Sequence, residues 1–464
     1  MEDLLQHDLP PPSPPQPPPP PFPPPTSDPR ITHARAIKSP FTDISIFNNL
    51  ITRYSKSITT LFPYALRVFR HHLLPSPTVV SFTALISAHS HTFHSLRHFL
   101  SMLRHPLLPN HRTLASLFST AATLSALPFG LSLHSLSLKL SLSHNPFVAS
   151  SLLNFYLKCR FPCHASKLFD EIPHRDNVCF SAMIVGLAQN SRAVDALSLF
   201  SDMRCDGFVS TVHSVSGALC AAAELAALEQ CRMVHGHAVV VGFDSNVVVG
   251  SALVDGYGKA GVVEDARRVF AENLQGMNIV GWNAMMAGYA QLGHYESTFE
   301  LFDLMEGHGL VPDKSSFLAI FTALKNAGMC LQIDHWLTRM KEVYGLEPTL
   351  EHYTCLVDAM ARAGQLERAE RIALTMPFQS DAAVWRALLS ACAFHGAADK
   401  ARDMAMRLLE LEPHDDSAYV IVTNVLSAAG RWDDVAELRK MMKDRRVKKR
   451  GGRSWIEVTE RNRK

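Results

Sequence analysis

Twenty-three histidines and nine cysteines are the residues of this chain best suited to metal or nucleophilic chemistry. Their spacing assembles no reaction centre. A zinc-dependent nucleotide deaminase needs His-x-Glu followed by Pro-Cys-x-x-Cys, which supplies the metal ligands and a Glu to move protons. His294-Tyr295-Glu296 spells the first half, but it falls in the turn between two apolar helical stripes. The cysteines, Cys159, Cys163, Cys179, Cys205, Cys220, Cys231, Cys330, Cys355 and Cys392, include no Cys-x-x-Cys pair. His89, His91, His94 and His98, with His71-His72, form a run that a metal could use, yet no cysteine or carboxylate spacing accompanies it. A glycine-rich phosphate loop and a nucleophile–base constellation are also missing. The chain is expected to be no enzyme and to hold no metal or cofactor.

A different polar pattern recurs. Residues 279–313 read IVGWNAMMAGYAQLGHYESTFELFDLMEGHGLVPD, and residues 177–211 read NVCFSAMIVGLAQNSRAVDALSLFSDMRCDGFVST. Each stretch has an aromatic at its fourth place, Trp282 or Phe180, and a small polar residue at its fifth, Asn283 or Ser181. Ala-Met follows, and a Leu-Phe-x-x-Met stripe closes the block. A small polar side chain near a helix start is an ordinary N-cap, so a single occurrence says little.

The elements that position these residues follow from periodicity. In 279–313, Trp282, Met285, Met286 and Tyr289 recur at helical spacing. Gly293 permits a turn, Phe299, Phe302 and Met305 make a second stripe, and Gly309 and Pro312 stop it. The same layout fills ten contiguous units of 31 to 36 residues. They are Ile44–Thr78, Val79–Asn110, His111–Asn145, Pro146–Asp176, Asn177–Thr211, Val212–Asn246, Val247–Asn278, Ile279–Asp313, Lys314–Thr349 and Leu350–Asp381. Three flavours alternate, so the array repeats in triplets. One flavour carries a His in its second helix, His134 in LSLHSLSLKL and His235 in RMVHGHAVV. A lone helical hairpin cannot bury its apolar face. Stacked hairpins bury a continuous core, which is an α-solenoid.

Composition agrees. The chain of 464 residues is 47% hydrophobic and 19% charged, with a formal net charge of +2. That charge gives no global signal for nucleic acid. Only the tail from Lys443 to Lys464 is biased, with ten Lys/Arg against three Asp/Glu. The cysteines lie mostly in apolar helical patterns, where free thiols act as small hydrophobes; this points to a reducing compartment without disulfides. No apolar run reaches the roughly 18 residues needed to span a bilayer, so no membrane partner is expected. Residues 10–25, PPPSPPQPPPPPFPPP, cannot enter a helix or sheet interior. Residues 30–40, RITHARAIKSP, are basic and acid-free, as in part of a transit peptide, although Glu2, Asp3 and Asp8 precede them. Residues 1–43 are accordingly read as a disordered Pro-rich or targeting segment.

These units resemble pentatricopeptide repeats, and the triplet order resembles the P-L-S subclass of plant proteins. VVGSALVDGYGKAGVVEDARRVF (248–270) and EHYTCLVDAMARAGQLERAERIALTMPF (351–378) match that pattern. Residues 382–415 resemble the first short E motif of the subclass and 416–458 the second, leaving 459–464 as a basic tail. The tetratricopeptide alternative lacks its W-x-x-L-G-x-x-Y opening here. The resemblance implies an all-α fold, a right-handed α-solenoid superhelix of stacked helical hairpins. It implies a sequence-specific binder of single-stranded organellar RNA that specifies C-to-U editing sites. A deaminase-bearing partner of the DYW type would be recruited in trans through residues 382–458, with Trp385, Trp432 and Trp455 as candidate anchors and core packing the favoured role of the first two. Small accessory editing factors would dock on the L-type units. The implied compartment is the mitochondrion, with the chloroplast as alternative. A splicing, stability or translation factor is the alternative function, and a protein-binding scaffold the third.

In this family two or three side chains of each repeat read one base, and the resemblance places them at the fifth and last residues of a unit. Thr83 with Asn110 resembles the adenine combination, as does Ser251 with Asn278. Ser150 with Asp176 resembles guanine, and so does Thr354 with Asp381. Ser181 with Thr211 implies a purine, Asn283 with Asp313 uracil, and Asn48 with Thr78 a pyrimidine. The L-type pairs, Ala115/Asn145, Ser216/Asn246 and Leu318/Thr349, carry no clear base. An apolar second residue of the neighbouring unit would sandwich the base. The implied target is 5′-Y-A-n-G-R-n-A-U-n-G-nnn-C.

Overall fold

The computed structural model describes residues 28–38, 44–56, 62–73, 77–173 and 175–448. Among these residues every regular element is helical, and the chain divides into two compact units, 1–159 and 160–464. The first holds α1 (Pro29–Lys38), α2 (Ile44–Lys56), α3 (Phe62–Val68), α4 (Val79–Ala88), α5 (Phe93–Arg104), α6 (His111–Thr123), α7 (Leu127–Lys139) and α8 (Pro146–Lys158). In the second, α9 (Pro162–Glu171), α10 (Asn177–Gln189), α11 (Ala193–Cys205), α12 (Val212–Glu224), α13 (Leu228–Val240), α14 (Val247–Lys259), α15 (Val263–Glu272), α16 (Ile279–Gln291) and α17 (Tyr295–Gly307) continue the array. They are followed by α18 (Lys314–Ala327), α19 (Ile333–Thr338), α20 (Leu350–Arg362), α21 (Leu366–Thr375), α22 (Ala382–Phe394), α23 (Ala398–Leu411), α24 (Asp416–Ala428) and α25 (Trp432–Asp444).

Each expected unit start from Ile44 to Leu350 is the first residue of a helix. Within each compact unit, successive first helices pack on one another (α4 on α6 on α8; α10 on α12 on α14 on α16 on α18 on α20), and second helices such as α5, α7, α11, α13, α15, α17 and α21 pack on their own first helices. This is the solenoid. Its core is the aromatic and methionine stripes. Trp282, Phe302, Met305 and Phe317 are fully buried; Trp282 meets Phe270 edge-on at 4.9 Å and Phe302 meets Phe317 at 5.4 Å. Fully burying one such side chain contributes about 1.5–3 kcal/mol. Gly293 turns the hairpin between α16 and α17 with φ +81°, a conformation that glycine adopts without a Cβ clash.

The triplet is visible as a contact. His134 on α7 bonds the Tyr156 hydroxyl of α8 at 2.7 Å. His235 on α13 bonds the Tyr257 hydroxyl of α14 at 2.8 Å. Both histidines are half-buried between their helices. Unit 314–349 departs from its neighbours: α18 has 14 residues where α16 has 13. Its second helix is broken into a 3-10 turn, α19 and a π turn at Arg339–Val343, which absorbs the extra length.

One expectation is corrected. Residues 1–27 and 39–43 lie outside the described residues, but Pro29–Lys38, read from sequence as part of a disordered segment, is helical. Asp28 accepts the Arg30 backbone N–H at its start. On its inner face His33 bonds the Tyr54 hydroxyl at 3.0 Å, and Arg53 donates to Thr32 at 3.0 Å. Its pairing with α2 supplies the burial that a short basic helix cannot find alone.

Residues 382–444 form two more hairpins, with α22 packed on α20 and α24 on α22. Ion pairs join them: Arg386 to Asp415 at 2.8 Å, Arg402 to Asp434 at 2.9 Å, and Arg431 to Asp399. Trp385 is buried under the Arg407 guanidinium, whereas Trp432 is 64% exposed. Trp455 lies outside the described residues.

Candidate nucleic-acid interface

The last residue of each unit does a structural task first: it is the N-cap of the next unit's opening helix. In the second compact unit, Asp176 Oδ1 accepts the Cys179 N–H at 2.8 Å, Asp313 that of Ser316 at 3.0 Å, and Asp381 that of Val384 at 3.1 Å. Thr211 caps Ser214 at 3.1 Å. Asn246 and Asn278 each accept two N–H groups, from Val248 and Val249 and from Val280 and Gly281. In the first unit Thr78 caps Ser81, Asn110 caps Thr113 and Asn145 caps Phe147. Thr349 sits before α20 with His352 against its backbone and side chain.

Capping decides which atoms remain. Because the N–H groups consume Oδ1, an Asn at this place keeps its Nδ2 donors and an Asp keeps Oδ2 as an acceptor. The fifth residues are constrained in a similar way. Ser181, Ser251, Thr354 and Thr83 sit 2.6, 2.7, 2.9 and 2.7 Å from the carbonyl oxygen four residues back. Each hydroxyl hydrogen is thereby directed into the helix, and the oxygen faces out with its lone pairs.

Three of the expected pairs meet directly. Ser181 and Thr211 share a hydrogen bond at 2.8 Å, Ser251 Oγ lies 3.3 Å from Asn278 Oδ1, a longer second acceptor for the hydrogen shared with Val247, and Asn283 Nδ2 donates to Asp313 Oδ1 at 2.9 Å. Thr83 and Asn110 are joined through Thr113, whose Oγ1 lies 2.6 Å from the Thr83 hydroxyl and 2.9 Å from Asn110 Oδ1. Thr354 and Asp381 each bond within their own helix start and not to each other. Ser150 belongs to the first compact unit and Asp176 to the second. Asn48 is half-buried, and its Oδ1 is enclosed without a partner. Among the L-type residues Ser216 is buried, while Ala115 and Leu318 are half-buried.

The second compact unit holds a groove of about 800 Å³ lined by α10, α12, α14, α16 and α18. Ser216, Ser251, Asn278, Asn283 and Leu318 line it beside Val248 and Val280. Those valines are second residues of their units, and they are 46% and 60% exposed. Val178, at the same place, is 59% exposed, as Val80 and Phe147 also are to similar extents in the first unit. Apolar side chains held in solvent on both sides of a polar pair form flat walls for an aromatic ring. The type of second residue was legible in sequence. The third residue of the following unit was missed: Thr113 and Ser316 complete the hydrogen bonding of the pairs, and only their recurrence as hydroxyls three places after the cap hinted at it.

Cys179, Cys231, Cys330 and Cys392 are buried packing groups, while Cys163, Cys205 and Cys220 are exposed. Burial pushes the Cys179 and Cys231 thiols up to about 12, far from a reactive thiolate. His294 precedes α17 and Glu296 lies in its first turn. Among the described residues no group of three His, Cys, Asp or Glu side chains is arranged to hold a metal.

Comparison with known proteins agrees with this architecture. The PPR repeat model matches residues 178–208, 251–272 and 351–376, the related PPR repeat family model matches 277–326, and the E motif model matches 395–457. Pentatricopeptide repeat-containing protein At4g33170 of Arabidopsis thaliana is 35% identical over 92% of this chain and 43% of its own length. The putative pentatricopeptide repeat-containing protein At5g52630 of the same plant is 35% identical over 92% of this chain and 72% of its own length. At2g03880, named mitochondrial, is 34% identical over 83% of this chain and 61% of its length. The crystal structure of the pentatricopeptide repeat protein PPR10 with an 18-nt psaJ RNA element matches at a TM-score of 0.64. It shares 18% identity, over 89% of this chain and 62% of that one, and so speaks for the fold. The chain belongs to the pentatricopeptide repeat family, and its fold is that family's all-α solenoid of stacked hairpins. It spans less than half the length of At4g33170 and of the putative protein At1g68930.

Proposed function

We propose that this protein binds single-stranded organellar RNA by sequence and marks a cytidine for C-to-U editing. The observation that carries the reading is the cap-locked last residue beside the fifth residue, between exposed valines on one groove. A base slides between Val248 and Val280 and meets Ser251 and Asn278. Asn278 then offers only N–H donors, which suit the N1 acceptor of adenine. The next base lies beyond Val280 and meets Asn283 and Asp313. Asp313 offers only a lone-pair edge, which accepts N3–H of uracil and repels the N3 acceptor of cytosine. Asp176 and Asp381 would accept N1–H of guanine by the same rule. The PPR10 structure with its RNA element lends weight to a nucleic-acid ligand for this fold.

The editing outcome rests on the E motif at 395–457. In this reading α22 to α25 dock a DYW-type deaminase partner that supplies the chemistry in trans, with exposed Trp432 as an anchor. Accessory editing factors occupy the L-type units. Two relatives named mitochondrial favour that compartment. The test is a filter-binding or gel-shift titration of the full chain with 5′-Y-A-n-G-R-n-A-U-n-G against a scrambled oligonucleotide. Tighter binding of the matched RNA is expected. Equal binding of the two would sink the reading.

A further inference from the structure

Asn283 and Asp313 do not stand alone. The Ser316 side chain, wholly buried, lies beneath both. Its Oγ accepts the Asp313 backbone N–H at 3.1 Å and donates to Asn283 Oδ1 at 2.7 Å, the nearer of two acceptors, with Asp313 Oδ1 at 3.2 Å. Asn283 Nδ2 in turn donates to Asp313 Oδ1 at 2.9 Å, which also receives the Ser316 N–H. The ring of bonds is directional. With the Asp313 N–H entering Oγ, the single hydroxyl hydrogen is free to go to Asn283. A flipped Asn283 would set its carbonyl oxygen against the Asp313 carboxylate. The amide plane therefore has one setting, with one Nδ2 hydrogen and one Oδ1 lone pair left for a base.

Thr113 stands at the same place beneath Thr83 and Asn110, there donating its hydroxyl to Asn110 Oδ1. It is buried, and its hydroxyl lies between the two polar groups at 2.6 and 2.9 Å. A contrasting site supplies the control. After Ser251 and Asn278 the third residue is Gly281, and Ser251 reaches Asn278 directly. A Cβ at 281 would approach Ser251 Oγ to 2.9 Å and Met277 Sδ to 2.0 Å. Asn283 and Asp313 are thus joined both directly and through a buried hydroxyl, Thr83 and Asn110 only through one, and Ser251 and Asn278 only directly.

We infer that Ser316 and Thr113 are positioning residues for base selection: the third residue of the following unit sets the donor and acceptor orientation of the reading pair. The inference rests on the RNA-binding reading above. Neither residue touches the base, since both are buried.

The experiment measures the affinity of the full chain for the matched RNA with uracil or cytosine at the Asn283/Asp313 position, for the wild type, Ser316→Ala and Ser316→Thr. The alanine variant keeps the residue 316 N–H, so the Asp313 cap survives, and a thermal midpoint close to wild type checks this. Ser316→Ala should narrow the uracil preference by roughly two- to tenfold, the worth of one neutral hydrogen bond. Ser316→Thr should restore it, because Thr113 shows that threonine fits this place. An unchanged uracil-to-cytosine ratio in Ser316→Ala overturns the inference and leaves RNA reading intact. Equal weakening toward both bases overturns it too, since that is the mark of plain packing. A wild-type chain with no uracil preference would instead defeat the underlying reading. Should Ser316→Ala unfold, Thr113→Val, scored for adenine against guanine, decides the matter by the same ratios.

Discussion

Asp313 carries two tasks in the proposed reading: Oδ1 caps α18, and Oδ2 is left to meet a base. Asn caps a helix about as well as Asp does, but the locked Oδ1 then leaves donors where an acceptor stood. Asp313→Asn should therefore leave the thermal midpoint nearly unchanged and turn the preference from uracil toward cytosine, read as the ratio of the two affinities. An unaltered ratio would separate capping from recognition. Asp381 gives the opposite experiment. Asp381→Ala removes the oxygen that holds the Val384 N–H and should cost about 1 kcal/mol of stability, measured by denaturant titration. The residue pairs themselves were legible because they recur at fixed places. The hydrogen bonds that turn them were not, because a cap and a reading group look the same in a sequence.

At the scale of elements, each hairpin owes its order to its neighbours. The α4–α5 hairpin shows what that costs in polar groups. His89, at the end of α4, lies 4.6 Å from His98 and 5.8 Å from His94, both on α5. Burial, and then the nearby His89, His94 and Arg70, lower His98 to about 4. Burial likewise lowers His89. A histidine depressed on folding binds its proton more readily in the unfolded chain, whose value is near 6.5. Its contribution to stability is thus complete above about pH 6.5 and is lost as the pH falls toward 4. Midpoints measured from pH 7.5 to 4.5 should fall less steeply for His98→Leu than for wild type. Matching slopes would remove this cluster as a source of acid lability. The histidine run was read from sequence as a metal candidate without supporting ligands; stacked hairpins bury His89 and half-bury His98, while His91 and His94 stay exposed. Deletion of a core ring is the counterpart on the apolar side: Phe302→Ala, at the junction of Phe317 and Trp336, should cost about 3–5 kcal/mol.

For the whole molecule, the relevant unit is the array and the string of bases it is proposed to select. Organellar transcripts of a plant lacking this gene should retain unedited cytidines downstream of A-n-G-R-n-A-U-n-G. Complete editing with one missing or misspliced transcript would instead assign the protein to processing. Period, helix starts and the identities of fifth and last residues follow from the sequence alone, because apolar spacing and cap chemistry act over a few neighbouring residues and repeat ten times. Tertiary structure alone decided that Ser316 reaches Asn283 across 33 residues, that Thr83 meets Asn110 only through Thr113, and that Pro29–Lys38 finds a partner in α2. Those contacts depend on how one hairpin lies against the next, and the side-chain hydrogen bonds proposed to specify a base form only at that junction.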